Sequence, residues 1–247
     1  AAIAAAMVMS TVPATPVQAA GGKTLAVSSQ KQLNQALKTV KGKNAVITVK
    51  AGKNVKITIP KGTYKVTIRV VGKKAAVVNN GTVKEIVVNS KGTVAIKNNG
   101  TIKKVTVQNA KSVSFSGNHK KAVPVVVNAE DVSMILAAPA KITAKKDVNI
   151  VLKKGAEKSS ITCTKNAQAQ VDNQTKKAIS VKIADGTTLK VEPGESCTIT
   201  PKGKKEDTSG EDKTDGKDQK TDDTSDGNAS SGSSSSGNSS GGTTVET

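Results

Sequence analysis

The sequence holds few of the side chains on which most catalytic and metal sites depend. Its 247 residues include a single histidine, His119, two cysteines, Cys163 and Cys197, and no tryptophan. Neither a Ser-His-Asp arrangement nor a zinc site can be assembled from one histidine and two cysteines that alternate with apolar residues. Two cysteines are also too few for a disulfide scaffold. We expect two buried structural thiols, with a disulfide as the alternative, and a turn position for His119.

Acidic side chains are scarce before Pro201. Only nine lie between residues 21 and 200, against 32 lysine and arginine residues. Glu130 and Asp131 are the one adjacent pair, and neighbouring residues of a strand point to opposite faces. The paired carboxylates of a glycoside hydrolase, about 5–9.5 Å apart, are therefore not expected. The sequence predicts no catalytic residue, no cofactor and no metal site.

The first residues have the pattern of a secretory signal. An apolar run from Ala1 to Met9 is followed by two prolines and by Val17-Gln18-Ala19. Such a run, with small residues before the cleavage point, is typical of a cleaved leader and is shorter than the ~20 residues that span a bilayer. We predict a leader at residues 1–19, truncated at its start, and an exported protein. A buried core helix is the alternative.

A period of nineteen residues organises the middle of the chain. Asn79-Asn80-Gly81-Thr82-Val83 recurs as Asn98-Asn99-Gly100-Thr101-Ile102, and Gly117-Asn118 follows one period later. Between these turns apolar residues alternate with polar ones, as in strands with one buried face. Such a period is typical of a solenoid, whose repeats bury their apolar faces against one another. The sequence predicts an all-β fold, a parallel β-helix or solenoid of roughly eight ~19-residue coils; a β-sandwich is the alternative.

The alternation also predicts which residues point inward. One inward set recurs nineteen residues later as Ile102, Val105, Val107, Val113 and Phe115. In the next coil the same spacing places Pro124, Val126, Val132 and Met134 inward. Stacked asparagines at the Asn-Gly corners are predicted to form a hydrogen-bonded ladder between coils.

A short amphipathic helix is predicted before the first coil. Ser29 and Gln32 have the N-cap and N3 positions of a capping box. An apolar face follows from Leu33 to Val40, and Gly42 ends the helix. Because the first coil of a solenoid exposes an apolar end and open strand edges, we expect this helix to cover them.

The same region resembles a known family. Three segments carry the resemblance: Leu25-Ala26-Val27-Ser28-Ser29, Leu33-Asn34-Gln35-Ala36-Leu37 and Ile59-Pro60-Lys61-Gly62-Thr63-Tyr64. They are similar to the opening of right-handed parallel β-helix proteins of the pectate-lyase-like superfamily, where a capping helix leads to a strand and a Pro-Gly-Thr-Tyr turn. Lys61 here stands between the proline and the glycine. The resemblance covers residues 25–70 by motif and implies a helix-capped β-helix. Enzymes of that superfamily use calcium-binding acids, or clustered aspartates, which this sequence does not show.

Positive charge is the strongest functional signal. Residues 21–200 carry a net charge of +23 and residues 201–247 a net charge of −4. Lysines that recur at the corners of successive coils are predicted to form ridges that attract polyanions in a salt-dependent way. The predicted binding residues are Lys84, Lys103, Lys104, Lys120, Lys121, Lys145, Lys146, Lys153, Lys154, Lys176 and Lys177. An ordinary solvated surface that protects sheet edges is the alternative.

The composition also narrows the class of polyanion. Tyr64 and Phe115 are the only aromatic residues and Arg69 is the only arginine, so a stacking platform for nucleic acid bases is not expected. An exported protein meets anionic cell-wall polymers and acidic polysaccharides instead. We expect one of these as the partner, no nucleic acid, and no transmembrane segment in this fragment.

The composition changes after Pro201. Residues 203–247 are rich in Ser, Gly, Asp and Lys, which predicts a disordered linker that leads to a further domain or an anchor. The capping helix and solenoid are predicted to span residues 20–202. We expect a secreted protein of the bacterial cell surface with a non-catalytic, structural or adhesive role. A polysaccharide lyase or hydrolase on the same scaffold, or an accessory domain of a larger secreted enzyme, is the alternative.

Overall fold

A computed structural model describes residues 23–50 and 55–201, together with the backbone of residues 205–207. The predicted leader at residues 1–19 lies outside these described residues. So does the predicted linker at residues 203–247, apart from that short backbone segment.

The described chain consists of short strands and one helix. In order, its first elements are β1 Lys23–Val27, α1 Gln30–Thr39, β2 Ala45–Val49, β3 Val55–Ile59, β4 Thr63–Val70, β5 Lys74–Asn79, β6 Thr82–Asn89, β7 Thr93–Asn98, β8 Thr101–Ile102 and β9 Val105–Asn109. The remaining elements are β10 Ser112–Ser116, β11 Val123–Val127, β12 Val132–Ala137, β13 Ala140–Ala144, β14 Val148–Leu152, β15 Ser160–Cys163, β16 Ala169–Asn173, β17 Ile179–Lys182, β18 Thr188–Val191, β19 Ser196–Ile199 and β20 Lys205–Asp207.

The strands form two sheets that the chain visits alternately. The first sheet has the order β1-β2-β4-β6-β9-β11-β13-β15-β17-β18, with β8 beside β6, and the second runs from β3 to β20. From β1 to β17, every pairing between strands of successive coils is parallel. The predicted solenoid of about eight coils is therefore confirmed. Parallel pairing follows directly from the repeat, because each coil returns the chain to the same sheet in the same direction.

The core is a set of aliphatic columns that run along the coils. One column of the first sheet consists of Ile47, Ile68, Ile86, Val105, Val125, Ile142, Ile161 and Val181. Every member is at most 1% exposed. Full burial of such a side chain stabilises the fold by about 1.5–3 kcal/mol. β-Branched residues suit these columns because they pack well on a pleated surface.

In one coil two of the four predicted inward positions are wrong, whereas Val132 and Met134 are fully buried as predicted. Pro124 is exposed and Val126 is partly exposed, whereas Val123, Val125 and Val127 are buried. Val105 pairs with Val125, twenty residues later, because no strand forms between Ser116 and Val123 and this turn is longer than its predecessors. One extra residue reverses which side chains face the core, since the period of a strand is two.

The predicted asparagine ladder is present at the corners. The Asn79 side-chain amide donates to Oδ1 of Asn98 at 2.8 Å, and the Asn99 amide donates to Oδ1 of Asn80 at 3.0 Å. Asn79 and Asn98 are fully buried. The ladder ends at the longer turn, where Nδ2 of Asn98 has no hydrogen-bond partner.

His119 lies in that longer turn and joins the coils on either side of it. Its Nδ1 lies 3.2 Å from the carbonyl oxygen of Asn98, and its Nε2 lies 2.9 Å from that of Pro139. The imidazole also packs edge-to-face against Phe115, with 5.2 Å between the ring centroids. The turn position predicted for His119 is correct, and its ring contacts backbone carbonyls of two coils without continuing the asparagine ladder.

Helix α1 covers the N-terminal end of the stack and contacts β1 and β3. Ser29 Oγ accepts a hydrogen bond from the Gln32 backbone N–H at 3.2 Å, as the capping box predicts. The Gln32 side chain accepts from the N–H of Ser28 at 2.7 Å rather than from that of Ser29. The Gln30 amide bonds to both backbone groups of Thr58 on the edge strand β3, at 2.6 and 2.8 Å. The helix therefore occupies part of an otherwise open edge.

The C-terminal end of the stack is built differently. Strand β18 pairs antiparallel with β17, and β19 pairs antiparallel with β16 and β20. The parallel coils thus end at β17, and two reversed strands cover the last apolar residues. The sequence analysis did not predict this reversal.

Cys163 and Cys197 are both buried thiols on inward positions of β15 and β19. Burial raises the pKa of the Cys163 thiol to about 11. Because the thiolate is the reactive form, about one Cys163 thiol in a thousand would be ionised at pH 8.

We expect negligible reaction of the two cysteines with an aromatic disulfide reagent in the native chain, and two equivalents of reaction in denaturant. Rapid labelling of native Cys163 would contradict this placement.

Candidate functional site: lysine rows at the corners of the coils

The eleven predicted lysines lie along two sets of turns, one on each side of the solenoid where the chain passes between the sheets. Turns that lead from the first sheet to the second form what we call the first corner, and turns that lead back form the second corner. Lys145 and Lys146 lie on the first corner. The other nine predicted lysines lie on the second corner or directly beside it, and all eleven are exposed.

Three lysines of the second corner stack on successive coils. Val83 pairs with Ile102, so Lys84 and Lys103 are neighbours, and the Lys103 backbone N–H bonds to the Val83 carbonyl at 3.2 Å. Lys65 lies in the bulge of β4 that faces Lys84. We call Lys65, Lys84 and Lys103 the corner row. Successive strands are about 4.8 Å apart, so this row presents one cation per coil at that interval.

The corner row carries no ion pair among the described residues, whereas two of the predicted lysines do. Lys104 Nζ lies 3.0 Å from Oε1 of Glu85, and that same oxygen accepts from the Thr106 hydroxyl at 2.6 Å. Lys146 Nζ lies 2.7 Å from Glu130 on the first corner. The hydrogen bond and charge of Lys146 lower the pKa of the Glu130 carboxyl, and Glu130 raises the pKa of Lys146. The positive field is therefore reduced at Lys104 and at Lys146.

The C-terminal part of the second corner is also partly neutralised. The Gly155 backbone N–H donates to both carboxylate oxygens of Glu157, at 2.9 and 3.1 Å, and this lowers the pKa of Glu157. The charges of Lys154 and Lys177 lower the pKa of Glu157 further. Unbalanced positive charge is thus greatest toward the N-terminal coils.

The first corner has a lysine series that sequence reasoning missed. Lys73 and Lys111 are two coils apart, with Gly92 between them: the Thr93 N–H bonds to the Lys73 carbonyl, and the Lys111 N–H bonds to the Gly92 carbonyl, each at 2.9 Å. A Cβ on Gly92 would lie 1.7 Å from the Lys73 carbonyl oxygen, so only glycine fits this close approach. Lys111 occurs singly and Lys73 stands beside Lys74, and none of these three is among the eleven predicted binding residues.

A segment charge count would have located the most basic part of the chain. From Lys23 to Lys84 there are 14 basic residues and no acidic residue. Arg69, Lys65 and Lys84 fall in this segment, and so do the lysines of α1 and of the first turns. Because the first acid of the solenoid is Glu85, the field of the first coils is not offset locally.

The described residues contain no group of three or more histidine, cysteine, aspartate and glutamate side chains that could hold a metal ion. Within that same part of the chain, no helix has the length and apolar character that crossing a membrane requires. Neither family models, nor curated proteins, nor solved structures give a significant match to this chain.

Proposed function

We propose that this solenoid is a non-catalytic module that binds an anionic polymer through its lysine rows. The observation that carries the proposal is the corner row, with one unpaired lysine on each of three successive coils. A polymer with regularly repeated anions can follow such a row, because the cations recur at the interval of the strands. Lysines that served only to keep the surface solvated would not need to be in register on successive coils.

The use of lysine rather than arginine defines the type of contact. An ammonium group is a compact, strongly hydrated charge, whereas a guanidinium forms flat bidentate contacts with phosphate or carboxylate groups. Exposed ammonium contacts are screened by salt, with a Debye length of about 8 Å at physiological ionic strength. The proposal therefore predicts binding that is strong only at low salt.

The partner that we propose is an anionic cell-wall polymer or an acidic polysaccharide. The leader predicted at residues 1–19 favours export, and an exported bacterial protein meets these polymers first. The resemblance of residues 25–70 to the pectate-lyase-like superfamily also favours a polysaccharide partner. The role would be structural or adhesive, as part of a secreted protein of the cell surface. The alternative, a lyase or hydrolase on this scaffold, would need acids that converge on one face.

The test is retention of the full chain on immobilised polymers. We expect the chain to bind polygalacturonate and isolated anionic wall polymer at about 50 mM salt, to elute by about 500 mM, and not to bind a neutral polysaccharide. Double-stranded DNA is the control for unselective charge attraction. No retention at low salt would refute the proposal, and so would preferential binding of DNA. Release of unsaturated sugar in the presence of calcium would favour the enzyme instead.

A further inference from the structure

A groove separates helix α1 from the turn before β4. Its cavity of about 500 Å³ is lined by Asn34, Leu37, Lys38 and Lys41 on the helix side and by Lys61 and Tyr64 on the other. The groove exists because β2 begins only at Ala45, opposite Val66 of β4. Tyr64 therefore has no strand neighbour on that side, whereas the same column in the next two coils holds the buried Val83 and Ile102.

Glycines on two coils leave room for the Tyr64 ring. A Cβ on Gly62 would lie 2.8 Å from the Tyr64 hydroxyl oxygen, and a Cβ on Gly81 would lie 3.1 Å from its Cε2 atom. The absence of these side chains gives the ring room to lie against the turn. Its hydroxyl donates to the Lys61 carbonyl at 3.2 Å. One of only two aromatic residues in the chain is thus a fixed, half-buried wall of a groove.

The charge of the groove is of one sign. Three lysines line it, and no acidic residue does. None of the three has an ion pair among the described residues. These lysines are therefore available to a ligand with a negative charge.

We infer that this groove binds one acidic sugar unit, a uronic acid, of the polymer whose further units contact the corner row. The apolar face of a pyranose ring fits the flat side of an aromatic ring, and a carboxylate fits a cluster of ammonium groups. The turn that lines the groove, between β3 and β4, belongs to the second corner, as the corner row does, so further units of the polymer can reach Lys65. This inference rests on the proposed function for the identity of the polymer.

The chain provides its own probe of this groove, because Tyr64 is the only tyrosine and there is no tryptophan. Titration of the full chain with trigalacturonate should change the tyrosine fluorescence and shift the Tyr64 ring signals in the NMR spectrum. A neutral trisaccharide and inorganic triphosphate are the matched controls, one without charge and one without a sugar ring. We expect neither to reproduce the change. An equal response to triphosphate would overturn the sugar assignment.

Variants separate this inference from the proposed function. Lys38→Gln with Lys41→Gln should weaken trigalacturonate binding about tenfold, whereas Lys165→Gln with Lys182→Gln, two exposed lysines outside the predicted binding residues, should leave it unchanged. Tyr64→Phe keeps the ring and should bind, and Tyr64→Leu should not; thermal unfolding shows whether each is folded. If Tyr64→Leu fails to fold, the variant with Lys38→Gln and Lys41→Gln still tests whether the groove binds trigalacturonate. If the chain is retained on long polymer but trigalacturonate leaves the Tyr64 signals unchanged, the groove is not a sugar site and the proposed function stands. If the chain is not retained and the Tyr64 signals do not change, both the groove site and the proposed function are wrong.

Discussion

Replacing Val105 by aspartate should abolish cooperative unfolding of the solenoid. Val105 is 1% exposed and lies in the aliphatic column between Ile86 and Val125. An aspartate there has no partner in an apolar column, and an uncompensated buried charge costs several kcal/mol. Typical domains are stable by only about 5–15 kcal/mol. In a solenoid the damage reaches both neighbouring coils, because each coil is stabilised by its two interfaces.

Lys103→Asp is the matched control for this change. It introduces the same side chain two residues away, at an exposed position without an ion pair. We expect Lys103→Asp to retain a cooperative transition in urea, with a midpoint close to that of the unaltered chain, while Val105→Asp shows none by circular dichroism. Equal tolerance of the two substitutions would show that the register of this coil is wrong.

Neutralising the corner row should reduce polymer binding by about two orders of magnitude. A lysine close to an anionic surface contributes about 1 kcal/mol, and every 1.4 kcal/mol is a factor of ten in affinity. Lys65→Gln, Lys84→Gln and Lys103→Gln together therefore remove about 3 kcal/mol. The measurement is the affinity of the full chain for long polygalacturonate as a function of salt. We also expect the salt dependence to become shallower, since fewer charges take part.

The control triple variant removes the same charge from the other end of the corner. Lys154→Gln, Lys176→Gln and Lys177→Gln lie where Glu157 already offsets part of the positive field. We expect this variant to lose much less affinity than the corner-row variant. Equal losses would mean that only net charge matters and that the register of the row has no role.

The architecture could be predicted because it depends on patterns within the sequence. Period-two alternation fixes the two faces of each strand, and the nineteen-residue repeat fixes which strands are neighbours. The prediction failed between Ser116 and Val123, where one added residue reverses the inward face. It also missed the reversed strands β18 and β19, because an alternating apolar pattern has no information about chain direction.

The candidate site was less accessible to sequence reasoning. Adjacent lysines such as Lys120 and Lys121 attracted attention, although the corner row is formed by lysines that are far apart in sequence. The register that joins Lys84 to Lys103 is visible in the repeat, but Lys65 joins them through a bulge that the repeat does not encode. The groove beside Tyr64 depends on the late start of β2 and on the position of α1, which are tertiary features.

The contacts of Gln30 bear on whether strands of other molecules can pair with the open edge of β3. A carboxamide has the same donor and acceptor as a peptide unit, and here it takes the place of one residue of an incoming strand on β3. A strand from another molecule must first displace it. Because Gln30 is tethered a few ångströms from its target, its local concentration far exceeds that of any free chain. The capping helix thus acts as an intramolecular competitor that slows templated growth at this edge.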